Sequence, residues 1–176
     1  MLQRQNIYET SLDVIAAKAE ERQEENDHFL RSLKHADSSA LDNLVHTVYE
    51  QVSAGIDCTE CGNCCSKLVI NITEDEVVML AAHFEMPVAD TKERYIEESL
   101  QGNCYINTMP CHFLADKKCT IYTARFTECR DFPHLHKPGF KDRLPNTLMY
   151  YGTCPIIYNV VQEVKAATGF LVNEAG

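Results

Sequence analysis

The sequence predicts a mainly α-helical protein with a loop-rich, metal-stapled cysteine core and one or two short strand pairs. Three observations lead there. Apolar residues at helical spacing occupy both ends of the chain, the stretch from about 102 to 154 shows little regular pattern, and every cysteine lies between Cys58 and Cys154. Roughly fifty residues without regular structure are uncommon inside a compact domain unless function or a ligand orders them. Thiolate-bound metal would do so. A structural zinc site contributes about 10–16 kcal/mol of apparent folding free energy, as much as the whole net stability of an ordinary domain, about 5–15 kcal/mol.

The elements follow in order. From about Asn6 to Leu33 there is no Gly or Pro, and Tyr8, Leu12, Ile15 and Ala19 recur at helical spacing, which predicts one long helix with a polar middle. Ser39-Ala40-Leu41-Asp42 reads as a second helix start of capping-box type, with Asp42 in the acidic position. Leu41, Leu44, Val45, Val48 and Val52 then form an apolar stripe that ends near Gly55. Lys67 to Ile72 is β-branched enough for a short strand. Thr73-Glu74-Asp75-Glu76 is a capping box opening a helix through Phe84, and a further helix is expected from about Asp90 to Leu100. A last helix starts at Pro155, which suits the first helical position, and stops at Gly169. The expected organisation is an N-terminal helical hairpin over 1–56 and a cysteine-cluster domain over 57–176.

Composition narrows the function. The 176 residues carry a net charge of −10, which argues against nucleic acid and against an anionic membrane surface. The longest apolar run, Val77 to Ala82, is far shorter than the roughly 20 residues of a membrane span. The opening MLQRQNIYETSLD has no basic stretch leading into an apolar one, so a cytoplasmic location is expected. In a reducing compartment nine cysteines point to metal or redox chemistry rather than disulfides, and an odd number cannot pair completely within one chain. Residues 111–143 alone sum to a positive charge, +3, and include Cys111, Cys119 and Cys129. Thiolates persist at neutral pH beside positive charge or metal; a basic loop on an acidic protein is the plainer reading.

The strongest local motif is Cys58-x-x-Cys61-Gly62-x-Cys64-Cys65. A two-residue gap lets both sulfurs of a turn face one centre, and Gly62 allows positive φ. Neighbouring side chains generally diverge, so one of Cys64 and Cys65 is expected to serve a second centre or another atom of a cluster. Cys111, Cys119, Cys129 and Cys154 supply four more thiols, enough for two four-ligand sites. No second C-x-x-C occurs among them, which disfavours a zinc ribbon. Arg125 and Arg130 are candidates to donate to cluster sulfurs, against the alternative of surface ion pairs. Phe113, Tyr122 and Phe132 would wall the site from water. His134 and His136 offer ligands for a mixed site, and Cys104 reads as a spare. G-x-S-x-G, G-x-G-x-x-G, the P-loop and H-E-x-x-H are all absent.

Taken together, Cys58-x2-Cys61-Gly62-x-Cys64-Cys65, Cys111-x-Phe-Leu, Cys119-x-Ile-Tyr, Arg125, Cys129-Arg130-x-Phe-Pro and the late Cys154-Pro155 resemble the CxxCxxCC cysteine-cluster family of the YkgJ type. Its domain is described as zinc- or iron-chelating, and the family includes the flagellin lysine N-methylase. The resemblance runs from about Cys58 to Pro155 and implies metal binding by Cys58, Cys61, Cys64, Cys65, Cys111, Cys119, Cys129 and Cys154. Where the family usually has Arg-Pro, this chain has Arg125-Phe126, which is expected to loosen that turn.

The expectation is therefore a protein that holds zinc or an iron–sulfur cluster on thiolates, with the cluster favoured by the all-sulfur donor set. The alternatives are an iron–sulfur enzyme related to protein-lysine N-methylation and a structural zinc module whose N-terminal helices bind a protein partner. Carriage of metal to other proteins is a further alternative. The metal ion is the one partner the cysteines themselves require.

Overall fold

The computed structural model describes residues 8–170, so the predicted start of the first helix at Asn6 lies outside the described residues. The fold is mostly helical with two small antiparallel sheets, as the sequence predicts. The chain divides into two compact units, each with its own core. One runs up to Asp57 and resumes at Pro133; the other is Cys58–Phe132.

In the first unit the long helix of the prediction is two helices, α1 Leu12–Glu21 and α2 Gln23–Ser32. Arg22 joins them at φ −100°, ψ 20°, and its guanidinium donates to Gln162 Oε1 at 2.6 Å. A segment polar all round has no apolar stripe to hold it straight, so one anchored side chain sets the break. Helix α3, Ser38–Gly55, buries Leu41, Val45, Val48 and Val52 as the stripe predicts. Its cap is Asp37, which accepts from Ala40 N at 2.7 Å, rather than the Ser39–Asp42 box. Asp42 instead turns to α8, Phe140–Met149, and accepts from the amides of Gly139 and Phe140, both at 2.8 Å. Those are donors that a helix start leaves without intrahelical partners.

Helix α8 is the largest departure from the predicted loop. Pro145 sits inside it and removes one ladder donor, yet Phe140 and Leu144 are fully buried and hold it against α3. Helix α9, Pro155–Ala167, starts on Pro155 as expected, and Gly169 follows its end at φ 73°. It packs along α3, buries most of its length, and carries Lys165 inside the unit. The Lys165 ammonium, 1% exposed, donates to Glu25 Oε1 at 2.6 Å and Asn26 Oδ1 at 2.5 Å. A buried charge is tolerated only with such partners.

In the second unit, α4 Asn63–Lys67 is followed by β1, which shrinks to Asn71–Ile72. The capping box at Thr73 starts α5, Glu74–His83, with both halves formed. Helix α6, Val88–Tyr95, ends earlier than the predicted Leu100 because Ile96–Glu98 becomes strand β2. It pairs antiparallel with β3, Cys104–Ile106, which also pairs with β1, giving the order β1-β3-β2. Backbone pairing with β3 outweighs helical propensity over these three residues. The short hairpin of β4, Leu114–Ala115, and β5, Lys118–Cys119, turns through Asp116 and Lys117 at φ 49° and 65°. Helix α7, Thr127–Asp131, closes the unit. Its core joins Ile72, Val77, Leu80, Phe113, Ile121 and Phe126, with Cys111, Cys119 and Cys129 packed at its edge.

Candidate metal centre

The first motif folds as a compact turn. Cys58–Glu60 makes one turn of 3-10 helix, and Cys61 N donates to Cys58 O at 3.3 Å. Gly62 then takes φ 63°, the left-handed conformation its position predicts, and α4 begins at once with Cys64 and Cys65 on its first turn. A second requirement acts on Gly62. A Cβ there would lie 2.6 Å from Lys117 O and 2.8 Å from Lys117 Cα, so the β4–β5 turn is seated on this glycine. Strand β5, which carries Cys119, packs against the Cys58–Glu60 turn. Cys111 joins through its backbone, donating from N to Cys65 O at 2.8 Å.

The two adjacent sulfurs do not diverge as expected. Cys64 Sγ and Cys65 Sγ are 4.0 Å apart. The Cys65 thiol lowers the Cys64 pKa to about 7, and the same contact with burial pushes Cys65 far up. Burial raises Cys111, with Cys119 and Cys64 adding to it. Burial likewise pushes Cys129 up to about 12, with Cys111, Cys64 and Cys119 adding to the rise. These mutual effects put Cys64, Cys65, Cys111, Cys119 and Cys129 in one electrostatic neighbourhood. Several thiols this close resist ionising together, and a bound cation reverses that by stabilising every thiolate at once. The donor set fits a zinc or iron centre.

Arg125 lies with its guanidinium carbon 4.0 Å from the Tyr122 ring centroid, and its charge helps to lower Cys64. Arg130 donates to Arg125 O at 2.6 Å and to Thr127 Oγ1 at 3.0 Å, so it links the Arg125 backbone to the Thr127 side chain across Phe126. Phe126 stands at φ −61°, close to the φ of about −65° that proline imposes. The turn therefore keeps a proline-like backbone rather than loosening, and the ring, 4% exposed, enters the core beside Phe113. Of the predicted wall, Phe113 is buried, Phe132 is partly buried and Tyr122 is 45% exposed.

Cys154 lies in the other unit, buried at the N-cap of α9. His134 and His136 belong to that unit too: His134 O accepts from Arg143 at 2.8 Å, and the His136 ring faces Tyr49 at 6.2 Å. Cys104, on β3, donates to Glu74 Oε1 at 3.3 Å, and burial raises its thiol. Glu74, Glu98 and Cys104 have ligand atoms within 4.8 Å of one another. The Lys92 ammonium already answers them, 2.7 Å from Glu74 and 3.8 Å from Glu98.

The spacing of the motifs matches a known family. The model of the CxxCxxCC family, "Putative zinc- or iron-chelating domain", matches residues 57–154. The chain belongs to the CxxCxxCC family. It therefore carries a zinc- or iron-chelating domain. No curated protein and no solved structure matches the chain. No helix among the described residues is long and apolar enough to cross a membrane. What the sequence did not reveal around the CxxCxxCC cysteines is the pair of carboxylates that hold α7, Glu76 and Glu128. Glu76 reads as a cap for its own helix, and its bond to Thr127 spans 51 residues, beyond any local pattern.

Proposed function

We propose that Cys58, Cys61, Cys64, Cys65, Cys111, Cys119 and Cys129 form an iron–sulfur centre in which Cys64 and Cys65 share one iron. The supporting observation is the 4.0 Å separation of Cys64 Sγ and Cys65 Sγ. Two thiolates on one tetrahedral ion with bonds of about 2.3 Å stand about 3.8 Å apart. Adjacent residues of the five-residue helix α4 come close to that spacing here. Seven thiols exceed the four that one zinc takes, and an all-sulfur set suits sulfide-bridged iron. The same 4.0 Å pair supports a second reading, a structural zinc held by four of these thiolates.

The deciding experiment is metal and acid-labile sulfide analysis with a visible spectrum on protein purified without air. Iron with matching sulfide and a brown colour that bleaches on reduction is the expected result. Stoichiometric zinc in a colourless protein would replace it with the zinc reading. Neither metal, with the thiols paired as disulfides, would overturn both.

A further inference from the structure

We infer that Glu76 is a positioning residue for the metal centre, its buried carboxylate setting the turn that presents Cys129. The inference rests on the reading of Cys129 as a ligand. Glu76 is 6% exposed. One oxygen closes the capping box of α5, accepting from Thr73 N at 2.9 Å and Thr73 Oγ1 at 3.3 Å. A capping box needs no more than this. The other oxygen accepts from Thr127 N, the first residue of α7, at 2.6 Å. One carboxylate thus serves the starts of two helices.

That second bond matters because α7 has only five residues. So short a helix has almost no stability of its own, and its placement depends on what grips it. Cys129 lies two residues beyond Thr127. Its neighbours are also gripped: Glu128 accepts from Asn71 N at 2.5 Å, and Arg130 holds Arg125 O. All three bonds are charge-assisted, about twice as strong as neutral ones, but those two are exposed to competing water and the Glu76 bond is partly buried. Burial alone would raise the Glu76 carboxyl, but the Thr127 and Thr73 amides hold it below the ordinary range, so it stays an acceptor.

The test measures the chelator concentration that strips half of the zinc or iron from the purified protein, together with its unfolding temperature. Glu76→Gln keeps one acceptor oxygen and cannot serve both amides. It should lower the chelator midpoint about tenfold or more, the usual scale for outer partners of a metal site. Thr73→Ala breaks the cap of α5 and leaves the Thr127 bond intact; it should lower the unfolding temperature but shift the midpoint less than about twofold. In a Cys129→Ser background, Glu76→Gln should add nothing. Should Glu76→Gln fail to fold, Thr127→Pro deletes the donor together with the Oγ1 that accepts from Arg130. Thr127→Ala, which removes that Oγ1 and keeps the amide, is its control and should shift the midpoint less than about twofold. Proline is tolerated at a first helical position, and Phe126 before it already has the extended backbone a proline demands. The same tenfold loss is expected. Equal shifts for Glu76→Gln and Thr73→Ala, an unaltered midpoint in Thr127→Pro, or an undiminished Glu76→Gln effect without Cys129 would each overturn the positioning role. If Cys129→Ser itself leaves retention unchanged, the ligand reading of Cys129 fails and the inference with it.

Discussion

Gly62 shows how one position can be fixed twice, by its own backbone and by its neighbour. Its φ of 63° costs any residue with a Cβ about 1–2 kcal/mol, and the Lys117 backbone fills the space that Cβ would take. Gly102 has φ 81° but its nearest neighbour, Glu98 Oε1, is 3.9 Å from the site of a Cβ, so it carries the conformational cost without the clash. Gly62→Ala should therefore lower the unfolding temperature of the metal-loaded protein clearly more than Gly102→Ala. Equal losses would mean that the Asp116–Lys117 turn is not seated on the cysteine loop. The need for positive φ at Gly62 was legible, because C-x-x-C followed by glycine is a local pattern. The approach of Lys117 was not, since nothing local to either residue records the other. The convergence of Cys64 Sγ and Cys65 Sγ was also hidden, because spacing gives the direction of a Cα–Cβ bond and not the rotamer that follows it.

At the scale of the element, capping decides more than propensity. The apolar stripes of α3 and α9 and the box at Thr73 could be read directly, each being a pattern whose successive members lie within about four residues of one another. Helix α8 could not, because Pro145 argues against it locally and the favourable contribution comes from Asp42, 97 residues before Gly139. Burial would raise the Asp42 carboxyl, but the Gly139 and Phe140 amides, with His46 and Arg143 nearby, hold it below the ordinary range. A carboxyl whose folded pKa is depressed stabilises the fold above its unfolded pKa, about 3.9, and loses that contribution as pH falls through the lower folded value. Asp42→Asn should accordingly lower the unfolding temperature at neutral pH and flatten its decline below about pH 4. An acid limb as steep as that of the unaltered protein would show that the Asp42 carboxylate does not hold the start of α8. Strand β2 makes the same point: Ile96–Glu98 reads as the end of a helix until β3 arrives to pair with it.

For the whole molecule, the division of labour between the two units is set by what each core contains. The helical unit buries Ile15, Phe29, Val45, Phe140, Leu144 and Val160 completely. The cysteine unit has short strands, short helices and a row of thiols along its core, so a metal held by those thiols would carry a larger share of its stability. Removing the metal with a chelator should abolish amide protection across Cys58–Phe132 while α3 and α9 stay protected, as hydrogen exchange followed segment by segment would show. Simultaneous loss in both regions would mean that the metal holds the entire chain. The zinc- or iron-chelating character was legible from the cysteine spacing alone. The path of the chain was not: α8 and α9 complete the core begun by α3, a long-range arrangement with no local sequence pattern.

That path has a consequence for how the protein is made. The face of α3 that α8 and α9 cover leaves the ribosome before the whole of Cys58–Phe132 has been translated. At about 5–20 residues per second, its partners follow only after roughly 4–15 s. By the end of that interval the nascent chain carries an uncovered apolar helix face and eight cysteine thiols, Cys58 to Cys129, so thiol capture by metal and the wait of α3 for its partners fall in the same stage of synthesis.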